Sequence, residues 1–302
     1  MAESNVERVE LGELTCWRVR YGANELVISQ QGAQVLSYQT DGQPPLIWLS
    51  KQAVFHKGQG VRGGVPVCWP WFGNLQRNPP AVQAMHTQPA QAPAHGLVRN
   101  LDWQLQGIDS RTDGIHIDFT FNSLSQPQND WPHAAELRLS IRLDERLHLE
   151  LHSRNLGTTP LAISQALHSY FAVSDIRQVS VEGLHGCRYI ETLEDWQTRQ
   201  QEGPLQFNGE TDRIYLDTPA SLSIRDDAWQ RRIQLLSSGS NSAVLWNPWI
   251  DKAQRLSQFA DDAWQGMLCI EHANVMDDIR VLAAGEQHRL NLSLWAELLV
   301  SD

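Results

Sequence analysis

The sequence predicts an all-β protein: one domain over residues 1–302, built as a large antiparallel β-sandwich with few short helices. Three observations predict this class. Apolar and polar residues alternate in many short segments, helical spacing is scarce, and no linker rich in Pro, Gly or Ser divides the chain. With 302 residues, 41% of them hydrophobic, the chain can bury one large core.

The clearest strands lie at 115–121, 137–143 and 147–151, where every second residue is apolar. Residues 144–146 join the last two strands as a hairpin. The same pattern predicts shorter strands at 25–29, 35–39, 103–108, 161–172, 221–225, 232–236, 243–246, 266–271 and 288–295. Helical spacing is weak and confined to 191–201 and 254–260. Segment 76–93 contains four prolines and is predicted to be a loop, long enough to be functional or mobile.

Composition excludes several classes of protein. The chain carries 24 Lys and Arg against 35 Asp and Glu, a formal charge of −11, which opposes binding to nucleic acid or to an anionic membrane surface. It has no apolar run of about 20 residues and no apolar segment typical of a signal peptide near the start. Its four cysteines form no CxxC pair, which fits a reducing compartment. We therefore expect a cytoplasmic protein, and we expect it to be a monomer.

Four segments depart from the strand pattern, and two of them are loops. Residues 62–74, RGGVPVCWPWFGN, combine Arg62 with Gly63 and Gly64, which let a backbone approach a ligand. A tight aromatic turn with a solvated Arg62 explains the segment equally well. In AHGLVRN, His95 lies at the end of the long loop, and Arg99 follows four residues later. A single histidine is more often structural than catalytic.

The other two segments are strands with unusual faces. In 161–171, one face carries small residues and ends in His168 and Tyr170; it either lines a concave site or is merely exposed. In 267–275, Glu271 shares a face with Met267 and Cys269. Partial desolvation there would raise its pKa toward the range of a general base, although a structural salt bridge is at least as good an explanation. His272 points to the opposite face.

Other patterns carry less weight. The 12 tryptophans could stack on sugar rings, but large β cores also use them. No nucleotide-binding loop, serine nucleophile elbow or zinc-binding helix occurs. His148, Glu150 and His152 alternate on one strand, where a solvated face is a better interpretation than a metal site. We predict no metal and no organic cofactor.

Five segments occur in an order that resembles the aldose 1-epimerases, or mutarotases: RGGVPVCWPWFG, AHGLVRN, SQALHSYFAVSD, ETDRIYLDTP and CIEHANV. The resemblance runs from about residue 27 to the end of the chain. Within that family, the sequence is most similar to the subgroup that acts on hexose 6-phosphates, chiefly glucose 6-phosphate. The arginine-glycine-glycine block with its Trp-Pro-Trp-Phe-Gly continuation is the most specific motif.

The resemblance implies a galactose-mutarotase-like sandwich of about thirty short strands, an epimerase activity and a sugar cleft. It assigns His168 as general acid and Glu271 as general base. The predicted substrate-binding residues are His95 and Asp212 at the sugar, Arg62 and Arg99 at the phosphate, and also Trp71 and Gln76. One departure is Leu97-Val98 before Arg99, where a Phe-Ala pair is commoner in the family.

Three alternatives remain open at this point. The chain could be a non-catalytic module that binds a sugar phosphate on the same scaffold. It could be a mutarotase for unphosphorylated aldoses, with Arg62 and Arg99 in structural salt bridges. Glycoside cleavage by Glu271 and Asp212 ranks lowest, because it leaves His168 without a role.

Overall fold

The computed structural model describes residues 3–299 of the protein. In that range it contains 22 strands and two α-helices of four and five residues, so the predicted all-β class is confirmed. The strand number in this range is lower than the thirty or so that the family resemblance implied, and the strands vary in length from two residues to 12. None of the described helices is long and apolar enough to cross a membrane.

The strands in chain order begin with β1 Ser4–Leu11, β2 Leu14–Tyr21, β3 Asn24–Ser29, β4 Val35–Thr40, β5 Val67–Cys68, β6 Gln104–Arg111, β7 Gly114–Asn122, β8 Ala135–Leu143, β9 Leu147–Asn155, β10 Leu161–Ile163 and β11 Gln165–Ala172. They continue with β12 Val179–Glu182, β13 Arg188–Glu191, β14 Gln197–Gln200, β15 Leu205–Gln206, β16 Thr211–Leu216, β17 Ser221–Asp226, β18 Arg231–Ser238, β19 Ser242–Asn247, β20 Met267–Asn274, β21 Arg280–Leu282 and β22 Gln287–Leu298. The helices are α1 Pro80–Gln83 and α2 Trp249–Ala253. Short 3-10 turns lie at Leu75–Arg77, Pro89–Gln91, Val98–Asn100, Ile176–Gln178, Ala263–Gly266 and Met276–Asp278.

These strands form two large sheets and two small ones. The nine-stranded sheet has the order β15-β12-β17-β18-β22-β9-β8-β7-β6, and the seven-stranded sheet has the order β14-β13-β16-β19-β20-β11-β5. A four-stranded meander, β1 to β4, and the pair β10-β21 complete the fold. Every pairing between these strands is antiparallel in the described chain.

The core lies between the two large sheets. Alternate residues of β7, β8 and β9 in the nine-stranded sheet share one apolar cluster with Leu167, Phe171, Leu268 and Ile270 of the seven-stranded sheet. Because side chains alternate along a strand, the neighbours of these core residues on β11 and β20 point to the opposite face of the seven-stranded sheet. His168 and Glu271 are on that opposite face.

The hairpin predicted from alternation is present as β8 and β9, and Asp144 to Arg146 connect them. The strand predicted at 161–172 is interrupted at Ser164, whose backbone N–H donates to the carbonyl of Pro70 instead of continuing the ladder. The two weak helix predictions are wrong. Segment 191–201 forms the turn and second strand of the β13–β14 hairpin, and 254–260 is a series of turns after α2.

Candidate active site

A cavity of about 630 Å³ opens on the face of the seven-stranded sheet that is turned away from the core. Its volume is typical of sites for small molecules. Parts of segments 59–66, 72–79, 94–99, 192–196, 252–258 and 275–276 form its walls. Side chains of β11, β16, β19 and β20 form its floor: His168, Tyr170, Asp212, Ile214, Val244, Trp246 and Glu271.

His168 and Glu271 meet at the centre of this floor. They are directly opposite each other in the β11–β20 register, where side chains on one face are close enough to touch. His168 Nε2 lies 3.3 Å from Glu271 Oε2, and the two residues are only 7% and 2% exposed. The ring of Tyr170 stacks on the ring of His168, with centroids 4.8 Å apart, and holds the imidazole in this orientation.

Both members of this pair favour their neutral forms. Burial lowers the pKa of His168 well below its usual value, and the positive charges of Arg99 and Arg62 and the nearby His95 lower it further. Burial raises the pKa of Glu271 well above its usual value, and the charge of Asp212 adds to this. Within residues 3–299, His168 Nδ1 is buried without a hydrogen-bond partner, and Glu271 Oε2 has the 3.3 Å contact with His168 Nε2 but no aligned hydrogen bond. Polar atoms left in this state are typical of a site that awaits a ligand.

His95 reaches the cavity from an irregular backbone. Its own φ is 65°, and the φ of Gly96 is 77°. A Cβ on Gly96 would lie 2.0 Å from the carbonyl oxygen of Trp69, so only glycine fits there. The backbone N–H of Gly73 donates to His95 Nδ1 over 3.3 Å, which leaves the proton of the neutral ring on Nε2. Burial, with Arg99 and Arg62, lowers the pKa of His95 to about 3, so the ring is neutral and donates one hydrogen bond.

Three guanidinium groups line the cavity, those of Arg62, Arg77 and Arg99. None of them forms an ion pair with a carboxylate in the described part of the chain, whereas Arg213, for example, pairs with Glu191 at 2.7 Å. Arg62 donates two long hydrogen bonds, from Nη1 to the Tyr170 hydroxyl over 3.5 Å and from Nε to the Ser257 carbonyl over 3.4 Å. The cavity is therefore locally positive in a protein whose net charge is −11.

Asp212 lies on β16 beside the floor of the cavity, and its carboxylate is 3.8 Å from Lys252 Nζ. Burial raises the pKa of Asp212, although the charge of Lys252 opposes this shift. Lys252 also contacts Glu210 at 3.0 Å, so it links two acidic groups at the rim. The structure thus brings six of the eight predicted site residues to one cavity: His168, Glu271, Arg62, His95, Arg99 and Asp212.

Trp71 and Gln76 are not in the lining of the cavity, and their assignment as substrate-binding residues needs correction. The Trp71 indole is 1% exposed, packs in the main core and donates from Nε1 to the carbonyl of Pro93 over 2.8 Å. Gln76 is exposed in the 3-10 turn Leu75–Arg77 and does not line the cavity, although Asn74 and Arg77 on either side of it do. The neighbour of Trp71 in the sequence, Phe72, lines the cavity instead, because alternate residues of this segment face opposite ways.

Sequence reasoning missed Trp196 and Lys252 as lining residues. Trp196 fell in a segment with weak helical spacing, and no pattern in the sequence marks Lys252.

Among residues 3–299, His168, Cys269 and Glu271 have metal-binding atoms within 4.8 Å of one another. Burial and the Glu271 charge raise the pKa of the Cys269 thiol well above its usual value, so this thiol is protonated at neutral pH.

A buried imidazole beside a buried carboxylate, in a positive cavity on an antiparallel sandwich, is a site for proton transfer to an anionic small molecule. Residues 16–295 match the family model described as aldose 1-epimerase. The chain belongs to the aldose 1-epimerase family, as the motifs predicted.

Individual proteins are also similar to this chain over most of its length. The chain is 32% identical over 284 residues to an Escherichia coli K12 protein named "Putative glucose-6-phosphate 1-epimerase", and the match covers 94% of this chain and 91% of that protein. A Cenchrus ciliaris protein of the same name is also 32% identical, over 88% of this chain and 79% of that protein. The crystal structure of a Salmonella typhimurium protein, described as a "putative mutarotase", superposes with a TM-score of 0.87 at 28% identity, over 97% and 94% of the two chains.

Proposed function

We propose that this chain is a mutarotase that interconverts the α and β anomers of hexose 6-phosphates, chiefly glucose 6-phosphate. The observation that carries the proposal is the 3.3 Å contact of His168 with Glu271 in a cavity lined by three arginines that form no ion pair with a carboxylate of residues 3–299. The names of the relatives support the choice of a phosphorylated sugar.

The reaction moves protons between the sugar and this pair. In ring opening, the Glu271 carboxylate takes the proton of the C1 hydroxyl, and a carbonyl forms at C1 as its bond to the ring oxygen breaks. The ring oxygen keeps that electron pair and takes a proton from His168. Rotation about the C1–C2 bond presents the other carbonyl face, and closure reverses both transfers. The cycle moves only protons, so it uses no metal or organic cofactor.

The pair needs one shared proton for this cycle. Before opening, the proton is on His168; after opening, Glu271 is protonated and His168 is neutral. Burial favours the second distribution, in which Glu271 holds the proton and His168 is neutral. The two distributions differ by one proton transfer between atoms 3.3 Å apart, so both belong to the same one-proton form of the pair.

Two further residues hold the sugar in our proposal. His95 is neutral with its proton on Nε2, so it donates a hydrogen bond to a sugar oxygen and cannot compete with His168 as an acid. Its ring centroid is 5.3 Å from that of His168, which places this donor beside the catalytic pair. The carboxylate of Asp212, next to Lys252, accepts hydrogen bonds from sugar hydroxyls.

Arg62 and Arg99 bind the phosphate in our proposal. Both line the cavity, and Arg62 Nη1 lies 3.5 Å from the hydroxyl of Tyr170, whose ring stacks on that of His168. A phosphate between two guanidinium groups forms charge-assisted hydrogen bonds, which are about twice as strong as neutral ones. This local charge attracts an anionic substrate against the net charge of the protein.

The test compares glucose 6-phosphate with glucose in wild type and in Arg62→Ala, by exchange NMR of the anomers. Loss of charge-assisted bonds of about 1.5–3 kcal/mol should lower kcat/KM for glucose 6-phosphate by about 10- to 100-fold. The rate with glucose should change less than about twofold. Arg289→Ala is the matched control, since Arg289 faces Glu150 on the nine-stranded sheet. An equal loss on both sugars would assign Arg62 a structural role and leave an enzyme for neutral aldoses.

A non-catalytic sugar-phosphate-binding module is the competing function. It would bind glucose 6-phosphate without accelerating anomer exchange, so the same spectra separate the two. The monomeric state and the cytoplasmic location remain part of the proposal, and size-exclusion chromatography with light scattering tests the first of them.

A further inference from the structure

Trp196 stands at the tip of the β13–β14 hairpin in a strained backbone. The φ of Asp195 is 50° and that of Trp196 is 60°, two consecutive left-handed residues of which neither is glycine. For a bulky side chain this conformation costs on the order of 1–2 kcal/mol, and it persists only where the surroundings enforce it. Here Gln197 donates to the Glu194 carbonyl over 3.1 Å, and Arg199 forms an ion pair with the Glu194 side chain.

This strained turn points the indole of Trp196 into the cavity. The ring is half-buried and packs beside a small apolar cluster that includes Ile214 and Val275, which are themselves lining residues. It is therefore an apolar surface within the same cavity as the catalytic pair. Trp246 also lines the cavity, but its ring is already contacted by the edge of Tyr170 and by Lys252.

Arg77 holds the Trp196 ring from a different chain segment. Its guanidinium carbon is 5.3 Å from the centroid of the ring, a cation–π distance, and Arg77 forms no ion pair with a carboxylate in residues 3–299. Arg77 lies in the 3-10 turn Leu75–Arg77, which follows the loop of Phe72. The contact joins two segments that are 119 positions apart in the sequence, since 196 − 77 = 119.

We propose that Trp196 is the apolar wall on which the sugar ring of the substrate stacks, and that Arg77 is a positioning residue that orients this indole. The C–H face of a hexose ring is apolar and matches an indole, whereas the hydroxyls at its rim match Asp212 and His95. The inference rests on the proposed function. In this proposal, Trp196 is the residue that distinguishes a pyranose ring from other small phosphorylated compounds.

The experiment measures KM and kcat for glucose 6-phosphate by exchange NMR, and binding by tryptophan fluorescence. Trp196→Ala should raise KM about tenfold, equal to about 1.4 kcal/mol of lost binding, with kcat within about twofold. Trp196→Phe keeps an aromatic face and should stay within about threefold of the wild-type KM. Arg77→Met should raise KM about threefold, and Arg77→Lys, which keeps a cation near the ring, should restore it.

The matched controls come from a second arginine–tryptophan pair. Arg146 lies 3.9 Å from the ring centroid of Trp295 on the outer face of the nine-stranded sheet. Arg146→Met and Trp295→Phe should leave both constants unchanged. Glucose 6-phosphate should change the fluorescence of wild type and of Trp295→Phe equally. The change should be at least halved in Trp196→Phe, in which Trp246 is the remaining tryptophan of the lining.

Three results would overturn the inference: a wild-type KM in Trp196→Ala, a fluorescence response of full wild-type size in Trp196→Phe, or a kcat loss without a change in KM. Each of these presupposes that the wild-type chain binds and epimerises the substrate. If the wild type neither binds glucose 6-phosphate nor accelerates its exchange, the proposed function itself fails, and this outcome is seen before any variant is compared.

Discussion

His168 and Glu271 occupy opposite positions on two adjacent antiparallel strands, and their Nε2 and Oε2 atoms are 3.3 Å apart on the floor of the cavity. An antiparallel register is a rigid way to keep two side chains at contact distance, because both backbones are held by the ladder on either side. Loops then supply further groups that line the cavity, His95 from one segment and the arginines from others.

Gly96→Ala should reduce both stability and activity. Its Cβ would lie 2.0 Å from the Trp69 carbonyl oxygen, so the segment that carries His95 must move. Gly186→Ala is the control, since Gly186 also has a positive φ, 81°, but has open space around it. We expect the control to lose about 1 kcal/mol in urea unfolding, the cost of a left-handed alanine, and Gly96→Ala to lose at least about 2 kcal/mol more. Equal losses would contradict the packing described for Gly96.

Acid should destabilise the fold through His272. This side chain is 1% exposed, both its ring nitrogens lack partners in the described chain, and burial lowers its pKa to about 4. The folded pKa is below the unfolded value of 6.5, so the unfolded chain binds more protons and stability falls as pH drops from 6.5 toward 4. From pH 7.5 to 5 this one group should cost about 2 kcal/mol.

The measurement for His272 is urea unfolding of wild type and His272→Leu at both pH values. The variant should lose about 2 kcal/mol less than wild type between pH 7.5 and 5. An identical pH dependence in the two proteins would show that His272 is not held neutral by the fold.

The pH profile of kcat should be flat near pH 6.5. An imidazole with its ordinary pKa would produce an inflection there, but burial, His95 and the two arginines lower the pKa of His168, while burial raises that of Glu271. The pair therefore keeps its single proton throughout the neutral pH range, and kcat should fall only at pH values well below or well above that range. A half-maximal kcat near pH 6.5 would mean that the pair is better hydrated than the structure indicates.

Alternation of apolar residues was sufficient to predict the strands that face the core, because burial on one face imposes the period of two. It identified 115–121 and 137–143 to within two residues of the bounds of β7 and β8, and it placed the start of β9 at 147 but ended that strand at 151 instead of 155. It also separated His168 and Glu271 from the core-facing residues of their strands. What alternation could not show is that β11 and β20 are neighbours, since pairing between distant strands leaves no local pattern.

The errors have local causes. Segment 191–201 has weak helical spacing, yet pairing of β13 with β14 overrides it, and this hid Trp196. Trp71 and Phe72 are adjacent in a motif shared with mutarotases, but only the backbone shows which side chain enters the cavity and which enters the core. Gln76 shares the loop of the site without facing it.

The most direct test of the account is anomer exchange of glucose 6-phosphate, followed by exchange NMR with wild type, Glu271→Gln and the control Glu150→Gln, whose carboxylate lies on the nine-stranded sheet. Loss of the base should slow enzyme-catalysed exchange by about 10²- to 10⁴-fold, with unchanged circular dichroism and unchanged binding of the sugar. The control should match wild type. Exchange by Glu271→Gln at a rate close to wild type would contradict the assignment of this pair as the catalytic centre.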